Sequence, residues 1–437
     1  MRIRSLTVFT LWLTCATTSV QASPAEIFEF DAKSSALGGA MVASSDDYTA
    51  AFYNPGALTR TRHVSTGLGI SAALPALKFE QVSGQFKAVE PASRYSLYTG
   101  LSAPLGHPQH SPFALGLAIT VPTAFSLRGE ISSSEHPQFY RYQNRPDRVV
   151  SAASLAYRIL PYLSLGIGAR LLADLTGRVE LGIRLSQRQL VDHRARVEFP
   201  LKLTPTAGIL IGPFNGFHIG MGWRAETGLR FSIPNRLVID DEIELDFALS
   251  GIVLYSPERF TVGAEYLHDP SRTALTLELS YVRWSRAPDP SLQVAVDASG
   301  ALLESIGLDQ RLDVQGRTLT DLGFQDIIET KVGLEHELSK RWQIRGGYAH
   351  RPAPLPAPTK LLNYVDPTSN RLSVGAGLTL RDGTSQGAGK LSVDFAYAIT
   401  LISRLRVRKA ARQDDPVGDY TASGSMHQIS FGFRHQF

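Results

Sequence analysis

Four cations stand where alternation would turn them to the polar side of a strand: Arg170, Arg224, Lys331 and Arg345. Side chains at i and i+2 share a strand face, and each of the four lies opposite an apolar set. Turned inward, each could meet the carboxylate of a bound molecule. Acids such as Glu278 and Glu335 fall on similar faces. Pairing with those acids is the plainer alternative, and the sequence leaves both open.

Other chemistry finds no footing. There is no GxxxxGK[ST] phosphate loop, no GxGxxG opening a βαβ unit and no GxSxG elbow. His336-Glu337 runs on into Leu338-Ser339-Lys340, which lacks the second histidine of an HExxH zinc site. The carboxylates Asp46-Asp47 and Asp240-Asp241-Glu242 read as solvated groups. The sequence therefore predicts no catalytic residues, no metal ligands, no cofactor and no enzyme activity, although a Ser/His/acid set gathered from separate strands is not excluded by spacing. Arg404, Arg406, Arg408, Lys409 and Arg412 could pair with lipid phosphates, or form a solvated loop balanced by Asp414, Asp415 and Asp419.

These side chains need a scaffold. The 437 residues carry a formal charge of +4, too little to argue for a nucleic-acid partner. Arg2 and Arg4 precede the apolar run Leu6 to Ala16, and Val20-Gln21-Ala22 offers a cleavage site. This pattern predicts a signal peptide over 1–22, cut near Ala22. The only cysteine, Cys15, lies inside it. Beyond residue 20 no apolar run reaches the ~20 residues that a spanning helix needs.

Residues 23–63 mix helix formers with breakers. Ala25 to Phe30 could begin a short helix, which Gly38-Gly39 would interrupt, and Asn54-Pro55-Gly56 is a turn. From Val64 the period becomes two. Leu163, Leu165, Ile167, Ala169 and Leu171 oppose Ser164, Gly166, Gly168 and Arg170, and similar segments recur to the end of the chain. Segments of ~9–11 residues with one apolar face suit tilted strands spanning a bilayer. Tight turns at Arg158 to Tyr162, Pro213 to Gly216 and Ser339 to Arg341 contrast with long connections. The long ones are Thr123 to Asp147, Arg286 to Asp326, Arg351 to Asn370 and Ser403 to Ser425. The last segment carries Ile429, Phe431, Phe433 and the terminal Phe437 on one face. The expected fold is all-β: a transmembrane antiparallel barrel of about 14 strands over 64–437, enclosing a partly helical N-terminal plug over 23–63.

Ala36-Leu37-Gly38-Gly39-Ala40, Asp46-Asp47 and Phe52-Tyr53-Asn54-Pro55 resemble the plug of the FadL/TodX outer-membrane transporters of hydrophobic compounds. Pro257 to Gly263, Tyr281-Val282-Arg283-Trp284-Ser285, Trp342 to Ala349, Pro352 to Pro356 and Asp366 to Arg371 resemble that family's later strands and loops, in family order. Two positions depart: Gly56 replaces the alanine of an Asn-Pro-Ala signature, with Ala57 next, and His350 replaces an aspartate.

The resemblance implies a fourteen-stranded outer-membrane barrel that takes up long-chain fatty acids or aromatic hydrocarbons without an energy source. Capture at the outer face, plug movement and lateral exit beside a kinked strand would carry the ligand into the bilayer. It assigns Gly38, Gly39, Asn54, Pro55 and Gly56 to the plug motif. Arg170, Arg224, Lys331 and Arg345 remain candidate head-group contacts. Partners would be the ligand, the bilayer and lipopolysaccharide, and the protein would be a monomer. A structural or secretion-associated barrel, or an outer-membrane lipid hydrolase, are the alternatives.

Overall fold

The computed structural model describes residues 28–83, 92–106, 111–123, 127–128, 136–143, 147–173, 176–184, 189–198, 201–239, 243–288, 290, 293–299, 322–359, 362–382, 389–409 and 417–437. The expected signal peptide and the first residues of the plug lie outside them.

Fourteen antiparallel strands close into a barrel. They are β1 Ser65–Gln81, β2 Arg94–Pro104, β3 Phe113–Pro122, β4 Val150–Leu160, β5 Leu163–Ala173, β6 Leu201–Phe214 and β7 Phe217–Arg224. The circuit continues through β8 Arg259–His268, β9 Thr273–Val282, β10 Ile327–Glu337, β11 Trp342–Arg351, β12 Ser369–Asp382, β13 Lys390–Val407 and β14 Tyr420–Gln436. β1 meets β14 from Ser65 opposite Gln436 to Gln81 opposite Tyr420, so no edge is left open.

Alternation sorts the two faces as the period demands. Leu68, Ile70, Ile167, Ile219, Met221, Leu277 and Phe433 lie exposed on the outside, while Ser71, Thr120, Ser154, Thr276 and Ser430 are buried on the inside. An outward apolar band over a polar interior is the arrangement that lipid requires. Among the described residues no helix is long and apolar enough to cross a membrane.

Short turns gather at one end and long connections at the other. Two expectations need correction there. The connection read as Ser403 to Ser425 is shorter, because β13 runs to Val407 and β14 starts at Tyr420. Their outer halves carry Arg404 and Ser423 rather than an apolar row, and such polar ends read as loop. At the same end a five-stranded sheet joins Gln189–Glu198, Thr176–Arg184, Thr227–Ile239, Ile243–Ser256 and Gln293–Ser299. Four of these lie two residues from the end of a spanning strand, and the sequence pattern does not separate them from it. Beneath them Tyr140, Tyr255, Trp284, Phe324, Leu355 and Tyr364 form a buried cluster, with Trp284 stacked on Phe324 at 5.6 Å.

The N-terminal segment fills the lumen. It holds helix α1 Ala32–Ala36, helix α2 Ala50–Tyr53 and the 3-10 turn Pro55–Arg60. Of the short helix expected from Ala25, Phe28 is helical and residues 25–27 lie outside the described residues. Asp31 caps α1, accepting a 2.8 Å bond from the Ser34 amide while the Ser34 hydroxyl accepts from the Asp31 amide. Gly38 and Gly39 then reverse the chain with φ of +64° and +80°, a region that side chains rarely adopt.

Candidate functional site

Small residues let plug and wall approach closely. Gly166 of β5, Gly208 of β6 and Gly222 of β7 stand in register across three strands, and Thr261 of β8 continues the row. The Asn54-Pro55-Gly56 turn seats on this row. A Cβ on Gly208 would lie 2.0 Å from the Asn54 side-chain oxygen, and one on Gly166 would lie 2.3 Å from the Pro55 carbonyl carbon. Asn54 is fully buried. Its side-chain oxygen accepts from the Gly56 amide at 3.0 Å, while its Nδ2 donates to the carbonyls of Val42 at 2.7 Å and Ile209 at 3.0 Å. Asparagine alone among the small polar residues offers one acceptor and two donors to such a turn. Gly56 fits for a steric reason: a Cβ there would lie 2.8 Å from the Gly208 carbonyl oxygen.

Charge secures the rest of the plug. Glu278 on β9 accepts from the amides of Met41 and Val42, both at 2.9 Å. Arg60 donates to the Ala43 carbonyl and to Glu265 of β8, each at 2.6 Å. Arg434 of β14 reaches Asp47 at 2.9 Å, and Lys33 reaches Asp46 at 2.7 Å. Asp47 thus ties the plug to the wall while Asp46 pairs within the plug, and no group of three or more metal-type ligands occurs among the described residues. Burial pushes the Asp31 carboxyl up to about 6, with Asp47 adding to the effect.

Between the plug and the wall lies a cavity of about 120 Å³. Its walls carry seven arginine or lysine side chains against three glutamates, and aromatic rings from Phe28, Phe52, Tyr53 and Trp223 also line it. Three of the four cations singled out in the sequence meet here: Arg170, Arg224 and Lys331. Arg170 donates to the Phe52 carbonyl at 3.0 Å and lies 3.9 Å above the Phe52 ring. Lys331 donates to the Gly39 carbonyl at 3.0 Å and sits 3.4 Å from Glu278.

Arg345 takes the pairing role instead. Buried away from the cavity, it binds Glu335 at 2.5 Å, Asp394 at 2.6 Å and Gln343 at 2.8 Å. Arg404, from the basic cluster, pairs with Glu80 at 3.2 Å near the outer rim. Arg412, Asp414 and Asp415 lie outside the described residues.

Sequence reasoning missed Arg259, Arg351 and Arg371, which also line the cavity. Arg259 and Arg371 had a readable signal, since each precedes an outward apolar residue, Phe260 or Leu372. Arg259 binds Glu329 at 2.6 Å, Arg351 binds Asp366 at 2.7 Å, and Arg371 donates to Gln428 at 2.5 Å. His350, standing where an aspartate was expected, lines the cavity with its Nδ1 2.8 Å from the Asn370 side-chain oxygen.

Outside the barrel, directly behind the glycine row, lies an apolar depression of about 500 Å³. Gly208, Gly222 and Thr261 form its back, and Met221, Phe260, Val262 and Leu279 its sides. Gly222, Trp223 and Thr261 also border the inner cavity, so this part of the wall separates two hollows.

A closed fourteen-stranded barrel with a plug docked in its lumen defines the class. No protein-family model matches the chain. It is similar to alkane uptake protein A of Marinobacter nauticus, 24% identical over 417 residues that cover 88% of this chain and 85% of the relative. Among solved structures, the Pseudomonas putida toluene transporter TodX matches with a TM-score of 0.57 and 14% identity over 93% of this chain and 98% of that one. A Pseudomonas aeruginosa FadL homologue matches with a TM-score of 0.56 and 13% identity, over 92% and 97%. The fold is that of the FadL/TodX barrels.

Proposed function

We propose that this protein takes up hydrophobic compounds through the outer membrane, passively and without catalysis. The relative named for alkane uptake and the toluene transporter support this reading. The observation that carries it is the shared wall. One row of small residues seats the plug turn on its inner side and backs an apolar, lipid-facing depression on its outer side. Movement of the Asn54-Pro55-Gly56 turn would uncover the wall at its thinnest. A greasy molecule leaving sideways gains ~0.8 kcal/mol per CH₂ buried in the bilayer, so no nucleotide is needed.

The exit would lie between β6 and β8, at short strand β7. The inner cavity, about 120 Å³, falls below the ~300–1,000 Å³ usual for a small-molecule site. It suits a polar head group while the plug is docked, and a long chain would need the plug displaced. Its cations favour a fatty acid over an unsubstituted hydrocarbon. In this reading residues 1–22 are a cleaved signal peptide, 23–63 the plug and 64–437 the barrel. The barrel works as a monomer in contact with bilayer lipid and lipopolysaccharide. The test is uptake: cells lacking the protein should accumulate less radiolabelled fatty acid or alkane, with restoration by the wild-type chain. Unchanged uptake, together with a stable stoichiometric complex with a secreted protein, would favour a structural barrel instead.

A further inference from the structure

We infer that Glu29 occupies the seat of the ligand's carboxylate while the plug is docked, and that an incoming carboxylate displaces it. This inference rests on the uptake reading above. Glu29 is the plug's own contribution to the cavity's three acids, since Glu278 and Glu329 belong to the wall. Its side chain is mostly buried, with one carboxylate oxygen 3.6 Å from Lys331 Nζ and the other accepting from the Tyr53 hydroxyl at 2.9 Å.

The seat is built for a carboxylate. Gly39 leaves room for it, because a Cβ there would lie 2.3 Å from the Glu29 carboxyl carbon. The Gly39 carbonyl holds Lys331 in place beside it. Glu29 itself has φ of +67°, a left-handed conformation that costs an L residue free energy and persists only where its surroundings hold it. Glu278 and Glu329 have other work: the first holds the plug amides of Met41 and Val42, the second binds Arg259. Glu29 alone among the three sits on the movable element, next to Phe30, whose amide donates to Tyr53. A free monocarboxylate competing for Lys331 and Tyr53 would release this strained residue and loosen the segment leading into α1. For a carboxylate, ligand arrival and plug release would then be one event, whereas a hydrocarbon without a head group would not displace Glu29.

Dodecanoate and dodecane are the probes, with purified full-length protein in detergent. Glu29→Gln keeps the shape and the acceptor for Tyr53 but removes the charge. It should bind dodecanoate about tenfold tighter than wild type, a typical coupling between competing groups, with dodecane binding unchanged. In the wild-type protein, dodecanoate but not dodecane should speed amide exchange over residues 30–39, a readout that needs no variant to fold. Equal dodecanoate affinity in wild type and Glu29→Gln, or no exchange response, would overturn the inference and leave the uptake reading standing. Failure of the wild type to bind either probe would instead overturn the uptake reading, and this inference with it.

Discussion

Replacing Gly56 with alanine is a one-carbon test of how tightly the plug turn fits. The added Cβ would meet the Gly208 carbonyl oxygen at 2.8 Å, and the Gly208 carbonyl carbon and Ile209 Cα at 3.0 Å. All three are backbone atoms of β6, which is laddered to β5 on one side and β7 on the other, so the wall cannot yield. The turn must retreat by a few tenths of an ångström, which strains the three bonds made by Asn54. Overpacking of this kind costs about 1–3 kcal/mol, which raises the undocked population about 5- to 150-fold. Hydrogen exchange over residues 50–60 should accelerate by that factor, because local opening limits exchange there. Gly228→Ala is the control, since a Cβ at that site finds only Tyr255, at 3.8 Å. If Gly56→Ala exchanges like wild type, the close seating of the turn on the glycine row is wrong. The family's Asn-Pro-Ala signature makes the experiment sharper, because resemblance alone would predict tolerance.

Asn54→Asp keeps the acceptor for the Gly56 amide but loses both donations, and leaves a buried carboxylate facing two carbonyls. It should undock the plug more than Gly56→Ala does, by faster exchange and easier proteolysis of the plug. Arg345→Ala strips a partner from both Glu335 and Asp394, and breaking such a buried pair costs about 3–5 kcal/mol. Thermal unfolding should shift strongly downward, with ligand affinity per folded molecule unchanged. Asp31 predicts a pH dependence. With a carboxyl raised from 3.8 to about 6, the folded plug binds a proton more tightly than the unfolded chain does. The resulting stabilisation is complete below pH 4 and lost as pH rises through 6, about 3 kcal/mol in all. Asp31→Asn keeps the helix cap and should flatten plug exchange between pH 4 and 7, whereas a slope that persists would contradict the assignment.

The barrel was readable because alternation is a local property. Leu163 to Leu171 names its own outward face, and repetition of that pattern gives the strand count. The Asn54-Pro55 turn was readable too, since both residues act on their own backbone. The cavity was less so. Glu278 meets Met41 across 237 positions, and Arg345 lies apart from Lys331 although both alternate inward, because which cation meets which acid depends on register and height. Glu29 gave no signal at all: it stands in no periodic stretch, and its importance comes from a left-handed backbone and from Gly39 beneath it. The sheet beyond the barrel rim was hidden for the opposite reason, since Thr176–Arg184 takes up strand character again two residues past the end of β5.

The most direct measurement is transfer of a fatty acid into liposomes reconstituted with the protein. Tritiated dodecanoate should enter the bilayer faster with wild-type protein than with empty liposomes, without any energy source. A disulfide fixing the plug to the wall, through Ala51→Cys and Gly116→Cys, whose Cβ positions lie close together, should abolish the gain until it is reduced. Transfer equal to empty liposomes, or transfer untouched by locking the plug, would contradict plug-gated uptake.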